Sequence, residues 1–117
     1  MSTKIFVNLP VKDLKHSMDF FRKLGYSYNP QFTDENAACL VISDDIYAML
    51  LRTDFFKNFT KKEPVDATRS TEVILSLTME NRTVVDEMLE KALAAGATDT
   101  GKMEEAWMYQ RSFADLD

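Results

Sequence analysis

Aromatic and basic side chains alternate near the C-terminus in a pattern that could build a ligand site. Four of them are spaced two residues apart, which places them on one face of a strand: Trp107, Tyr109, Arg111 and Phe113. Aromatic rings give a site apolar walls, and the Arg111 guanidinium offers a fixed fork for a carboxylate or phosphate. The same pattern is equally typical of aromatics that pack a sheet around an arginine in a structural ion pair, so both interpretations stay open. Arg52, at the end of another strand-like run, is a second candidate anion contact.

Nucleophilic chemistry has little support, because Cys39 is the only cysteine and His16 the only histidine. A single cysteine forms neither an internal disulfide nor a thiolate metal cluster within one chain. Cys39 lies in an apolar run, residues 37–42, where a free cysteine usually behaves as a small buried hydrophobe. His16 falls in a predicted helix, turned away from its apolar stripe, and no pattern places it beside Cys39. We therefore predict a core cysteine and a surface histidine.

Length and charge narrow the class of protein. A chain of 117 residues with a formal charge of -5 fits one globular domain and argues against a general nucleic-acid binder, which needs a concentrated basic surface. The N-terminal residues lack the long apolar stretch of a signal peptide, and no run reaches bilayer-spanning length. We expect a cytoplasmic protein without a membrane segment, whose partners are small molecules or proteins.

The first half of the chain predicts one strand, one helix and three further strands. Ile5, Val7 and Leu9 alternate before Pro10, and Asp13 then caps a helix over 14–24 that Gly25 ends. The later strands are predicted over 26–32, 37–43 and 46–52, the last two joined by a tight turn at 43–45.

Residues 53–70 connect the two halves and interleave phenylalanines with lysines. Such a mixture could contact an anion or nucleic acid, but a short helical turn that covers the core with its phenylalanines explains it as well. We favour the covering role, given the acidic chain.

The second half repeats the first and stops one strand short. An alternating run over 72–79 predicts a strand, and Asn81 and Gly96 bracket a helix over 82–95. Strands follow near 98–103 and 107–113, so only the fourth strand of a second β-α-β-β-β unit is missing.

This arrangement resembles the vicinal oxygen chelate superfamily, which contains glyoxalase I, bleomycin and fosfomycin resistance proteins, and extradiol dioxygenases. The resemblance lies in three motifs: the strand-to-helix opening at 8–14, the helix end with Phe20, Phe21, Leu24 and Gly25, and the late turn at 111–117. It implies an α+β fold of two β-α-β-β-β modules, whose mixed sheets form a cup with the helices outside. A single domain would span 1–117, with module one at about 1–52, the connection at about 53–70 and module two at about 71–117.

The resemblance also implies where metal ligands would lie. The family's first three ligand positions fall on Phe6, Leu50 and Glu72, and the fourth would lie beyond Asp117. Phenylalanine and leucine cannot ligate a metal, and one carboxylate alone holds a divalent ion weakly. We therefore expect no metal site and no cofactor. A register slip of two residues would substitute Asn8 and Arg52 for Phe6 and Leu50.

Glu72 is the candidate catalytic residue. A carboxylate inside an apolar cup would be desolvated, which raises its proton affinity toward the range of a general base that removes a proton next to a carbonyl. The alternative is a Glu72 paired with an arginine or exposed at a strand end.

The sequence thus predicts a glyoxalase/bleomycin-resistance-like protein, a homodimer as implied by the resemblance, that binds a small organic molecule without the family's standard metal. The predicted ligand-binding residues are Phe6, Asn8, Leu50, Arg52, Trp107, Tyr109 and Arg111. Two other functions stay open. One is a metal-dependent lyase or isomerase of the glyoxalase type, and the other is a resistance protein that sequesters a drug.

Overall fold

The protein has an α+β fold with a mixed four-stranded sheet and a separate two-stranded sheet. The computed structural model describes residues 3–104 and 109–117. In chain order the strands are β1 (Ile5–Val11), β2 (Ser27–Tyr28), β3 (Ala37–Val41), β4 (Ile46–Arg52), β5 (Thr98–Glu104) and β6 (Tyr109–Ala114). The α-helices are α1 (Leu14–Lys23), α2 (Thr53–Phe56) and α3 (Arg82–Ala94).

Local capping chemistry fixes both long helices where the sequence predicts them. The Asp13 carboxylate accepts a hydrogen bond from the His16 backbone N–H at the start of α1, and the Asn81 side chain accepts one from the Val84 N–H at the start of α3. Both helices are followed by a glycine with positive φ, Gly25 at 100° and Gly96 at 111°. The predicted helix boundaries are therefore confirmed to within one residue.

The four-stranded sheet has the order β1-β4-β3-β2, in which β1 runs parallel to β4 and the other pairs are antiparallel. The β3–β4 hairpin closes at the predicted turn, where Ser43 and Ile46 exchange backbone hydrogen bonds. One face of this sheet packs against α1 through a buried cluster of Val11, Leu14, Ala38 and Leu50. We call it the helix face, and the opposite face, which carries Phe6, the Phe6 face.

The strand predicted over 26–32 is mostly wrong. Only Ser27–Tyr28 pairs with β3, and Pro30–Phe32 forms a 3₁₀ turn instead. Proline lacks the N–H that a ladder needs, and the Asn29 side chain accepts a hydrogen bond from the Gln31 N–H that starts the turn.

The connection after β4 begins with a short helical stretch, as predicted. Helix α2 continues into a 3₁₀ turn over Lys57–Phe59, and the Phe55 and Phe59 rings meet edge to face with centroids 5.4 Å apart. Phe59 nevertheless stays 69% exposed, so the covering of the core by these phenylalanines is only partial.

The second half contributes α3 and the antiparallel β5–β6 pair, but residues 72–79 form no strand. Their counterpart in the first half, β1, is held as a strand by seven register pairs with β4. A strand's backbone groups need a ladder partner, so the alternating pattern of 72–79 is not sufficient by itself.

The two halves meet through their helices. Phe20 of α1, Leu24 just after it and Ala92 of α3 form a buried cluster, against which Phe113 of β6 and Leu116 after β6 pack. The chain after β6 returns to α1, where the Asp117 carboxylate accepts hydrogen bonds from the Lys12 N–H and from the Ser17 hydroxyl. Within the described ranges, no helix has the length and apolar character that crossing a bilayer requires.

Candidate functional site

The most prominent exposed surface with recognition chemistry is an aromatic pair on the Phe6 face. The parallel register of β1 and β4 places Phe6 beside Tyr47 and Asn8 beside Met49. The Phe6 and Tyr47 rings stack with centroids 4.7 Å apart and planes 10° apart. Phe6 is 43% exposed, so part of its side chain stays accessible beside the stack.

Polar groups surround this pair. The Lys4 ammonium lies 5.7 Å from the centre of the Tyr47 ring and 3.3 Å from an Asp45 carboxylate oxygen. The hydrogen bond to Asp45 raises the pKa of Lys4, so the side chain stays cationic over the physiological range. The Tyr47 hydroxyl donates to the Asp44 carbonyl, and the Asn8 amide nitrogen lies 3.4 Å from the Phe6 carbonyl oxygen. The surface therefore combines a flat apolar platform with a cation and an amide at its edges.

Leu50 and Arg52 lie on the other side of the sheet from Phe6. The register pairs Leu50 with Leu9, and Leu50 is 1% exposed in the cluster against α1. The expected common cup face of Phe6 and Leu50 is therefore not formed: Leu50 lies on the helix face, and the β4 residue beside Phe6 is Tyr47. A role of Leu50 in ligand binding stays a prediction. Arg52 shares the face of Leu50 and is exposed at the end of β4.

Glu72 lies in the exposed stretch 71–78, outside any apolar enclosure. Among the described residues its carboxylate has no hydrogen-bond or ion-pair partner. Of the alternatives that the sequence left open for Glu72, the structure matches the exposed side chain. A catalytic role of Glu72 stays a prediction. A general base at this position would need a carboxylate that is shielded from water. The described residues around Glu72 do not shield it.

Tyr109 and Arg111 point toward α3. The Tyr109 hydroxyl donates to Asp86 of that helix over 2.5 Å, and an Arg111 nitrogen lies 2.8 Å from an Asp99 carboxylate oxygen. Arg111 also approaches Asp86 at 3.8 Å, and the Arg82 guanidinium lies 4.4 Å from the centre of the Tyr109 ring. These contacts match the structural ion pair, which is one of the two interpretations that the sequence left open for Arg111. Trp107 lies outside the described residues.

The implied metal does not fit the residues at its expected positions. Phe6 and Leu50 carry no ligating atom, and the Glu72 carboxylate stands alone. In the described part of the chain, no group of three or more histidine, cysteine, aspartate or glutamate side chains could hold a metal ion. Cys39 is fully buried, and burial raises the pKa of its thiol, which disfavours the thiolate.

A concavity lies between the β3–β4 turn and residues 76–79. It has a volume of about 470 Å³, and its lining carries no charged side chain: Tyr26, Ile42, Ser43, Ile46, Ser76, Leu77, Thr78, Met79 and Met88. Burial raises the pKa of Tyr26 at its edge. The wall made by residues 76–79 has no backbone hydrogen bond to any described residue, whereas seven register pairs hold the Phe6 platform.

Lys4 and Tyr47 are the two residues of the platform that the sequence prediction missed. Tyr47 alternates with Met49, but alternation alone does not say which set of residues faces the helix. The parallel pairing with β1 decides this, and no local pattern reports it.

The N-terminal part of the sequence matches a known family. Residues 3–43 match the family described as bleomycin resistance protein-like N-terminal. This range includes Phe6 and Asn8 and runs from β1 through β3. No curated protein matches the chain.

Solved structures resemble the whole fold. A hypothetical protein from S. aureus is 28% identical, with a TM-score of 0.81 over 100% of this chain and 88% of that chain. A glyoxalase/bleomycin resistance protein/dioxygenase family enzyme from Burkholderia phytofirmans PsJN is 16% identical, with a TM-score of 0.73 over 97% of this chain and 91% of that chain.

Proposed function

Because this chain belongs to the vicinal oxygen chelate superfamily, we propose that it binds a small organic molecule on the Phe6 face without the superfamily's standard metal. The observation that carries the proposal is the exposed stack of Phe6 on Tyr47. A planar group of the ligand lies against the exposed part of this stack. The Lys4 ammonium donates to the Asp44 carbonyl and to the Asp45 carboxylate and keeps a third N–H for an anionic substituent, and the Asn8 amide offers both a donor and an acceptor.

The Phe6 platform is more available to a ligand than the residues near the C-terminus. Arg111 and Tyr109 already have partners on α3 and β5, and a ligand would have to displace them. The Phe6 platform instead lies on two strands joined in register, so stacking requires little ordering of the protein.

A fluorescence titration tests the proposal. The probe is 8-anilinonaphthalene-1-sulfonate, which has flat rings for the stack and a sulfonate for Lys4. We expect Phe6→Ala to weaken binding roughly fivefold, since an aromatic contact contributes about 1 kcal/mol. Phe59→Ala is the matched control, because Phe59 is 69% exposed but lies outside the platform. An unchanged dissociation constant in Phe6→Ala, or an equal loss in Phe59→Ala, would contradict the proposal.

Catalysis by Glu72 is a separate proposal with its own test. Since Glu72 is exposed, Glu72→Gln should leave probe affinity at the wild-type value. A loss of turnover in this variant, with any carbonyl substrate that wild-type protein converts, would support the general-base role. Stoichiometric nickel, zinc, manganese or iron in the purified protein would instead favour the metal-dependent lyase or isomerase.

Drug sequestration is a second candidate function, favoured by the match of residues 3–43 to a bleomycin resistance protein-like family. A protein that only sequesters needs an apolar surface and no base. Expression in a sensitive bacterium should then raise the bleomycin concentration that stops growth, and Phe6→Ala should reduce this protection. Growth inhibition at the same concentration with and without the protein would rule the candidate out.

A further inference from the structure

The cavity between the β3–β4 turn and residues 76–79 lies on the helix-face side of the sheet, away from the Phe6 platform. Ile46, which contributes to the lining, directly precedes Tyr47 on β4, and successive side chains of a strand point to opposite faces. We call this space the Tyr26 cavity. Its volume of about 470 Å³ is within the usual range of pockets that enclose a small organic ligand.

Most of the wall of the Tyr26 cavity belongs to packed and hydrogen-bonded parts of the fold. Tyr26 and Met88 also pack against the buried cluster that joins α1 to α3. The β3–β4 turn is closed by backbone hydrogen bonds between Ser43 and Ile46. Side chains of residues 76–79 form the remaining wall. Because most of the cavity is formed before a ligand enters, binding requires little ordering of the protein.

The lining favours an uncharged, largely apolar ligand. Its described side chains are aliphatic, thioether or hydroxyl-bearing, and none of them is charged. A charged group that entered this space would lose hydration without gaining an ionic partner. The thioethers of Met79 and Met88 are flexible and polarizable, so they adapt to apolar bodies of different shape.

The Tyr26 hydroxyl supplies the cavity with a hydrogen-bond donor. Among residues 3–104 and 109–117, this hydroxyl has no hydrogen-bond partner. Burial raises the pKa of Tyr26, so the phenol keeps its proton at neutral pH. A half-buried hydroxyl without a protein partner binds water or an acceptor atom of a ligand, and a carbonyl oxygen is such an acceptor.

We propose that the Tyr26 cavity binds a neutral, largely apolar molecule that carries a carbonyl group, such as a ketone or an ester. The apolar body lies against Leu77 and Met88, and the carbonyl oxygen accepts a hydrogen bond from the Tyr26 hydroxyl. This site does not depend on the proposed function, because the Phe6 platform lies on the opposite side of the sheet.

A fluorescence titration with 6-propionyl-2-dimethylaminonaphthalene tests the site. This probe is neutral and flat, and its single ketone emits at longer wavelength when it is hydrogen-bonded. We expect Leu77→Asp to weaken binding about tenfold or more, because a carboxylate replaces an apolar contact in an uncharged lining. Val73→Asp is the matched control, since Val73 is 51% exposed and Leu77 46%, but Val73 does not line the cavity. Circular dichroism verifies that each variant is folded.

Tyr26→Phe tests the hydrogen bond, because it keeps the ring and removes only the hydroxyl. We expect the affinity for the neutral probe to fall about fivefold, as the loss of one hydrogen bond predicts. The emission of the bound probe should also move to shorter wavelength, since its ketone loses the donor. A hydroxyl that only supports the fold would not change this emission.

Phe6→Ala separates the cavity from the platform. It should leave the affinity for the neutral probe at the wild-type value, and Leu77→Asp should leave the affinity for 8-anilinonaphthalene-1-sulfonate unchanged. Absence of saturable binding of the neutral probe to the wild-type protein overturns the cavity site, as does an equal loss in Leu77→Asp and Val73→Asp. Weaker binding of the neutral probe in Phe6→Ala also overturns it, but leaves the proposed function of the platform intact. Unchanged affinity and emission in Tyr26→Phe overturn the hydrogen bond to a carbonyl.

Discussion

At the scale of single residues, the surroundings of each candidate determine what chemistry remains open to it. Arg111 has an anionic partner at 2.8 Å, whereas Phe6, which stacks on Tyr47, stays 43% exposed. The residue type that suggests a function, an arginine among aromatics, is thus engaged in packing the β5–β6 pair. A phenylalanine with no reactive group provides the more accessible recognition surface.

Tyr28 gives a prediction for pH dependence. Burial raises its pKa from 10.0 to about 12, and its hydroxyl donates to the Met18 carbonyl of α1. Between pH 10.0 and about 12 the unfolded chain loses this proton while the folded protein keeps it, so rising pH favours unfolding. The contribution is complete below pH 10.0 and is lost as pH rises to about 12.

Urea denaturation at a series of pH values measures this effect. We expect the wild-type free energy of unfolding to fall more steeply above pH 10.0 than that of Tyr28→Phe, which has no phenol to titrate. The difference between the two proteins removes the contribution of the other tyrosines and of the lysines. Parallel curves for wild type and variant would show that burial of Tyr28 does not perturb its ionisation.

At the scale of elements, β4 separates packing from recognition by the alternation of its side chains. Leu50 contacts the core under α1, and Tyr47 and Met49 face the other way. We expect Leu50→Ala to lower the free energy of unfolding by about 2–5 kcal/mol, because the buried site loses contacts and retains a cavity. The affinity for the anilinonaphthalene probe should stay at the wild-type value in the folded variant. Phe6→Ala should show the reverse, with weaker probe binding and little loss of stability. Weaker probe binding in folded Leu50→Ala would instead show that Leu50 contributes to the ligand site.

The sequence predicts the elements that depend on local contacts, but it does not predict which way β4 faces. Helices α1 and α3 were predictable because Asp13, Asn81, Gly25 and Gly96 act through contacts a few residues away. The hairpin at 43–45 was predictable for the same reason. The side of the sheet on which Leu50 lies was not predictable. A strand has two alternating sets of side chains, and pairing with a distant strand decides which set faces the helix. The aromatic platform follows from that pairing, so it was missed with it.

At the scale of the whole molecule, the helices join the two sheets. Leu24, the residue that follows α1, is 3% exposed in the cluster that also contains Phe20 and Ala92, and Phe113 and Leu116 contact this cluster from the second half. From this shared core we expect the two halves to unfold as one cooperative unit, in line with the single domain predicted over 1–117.

Hydrogen exchange of Leu24→Ala tests whether the halves unfold together. We expect the substitution to lower the free energy of unfolding by about 2–5 kcal/mol. Amides of β3 and β4 and amides of β5 and β6 should lose protection by the same amount, because opening of the shared cluster exposes both sheets. Leu93→Ala is the control on α3, since Leu93 is 39% exposed and should change protection little. If Leu24→Ala accelerates exchange in β3 and β4 alone, the second half keeps its structure without the first, and the chain contains two folding units.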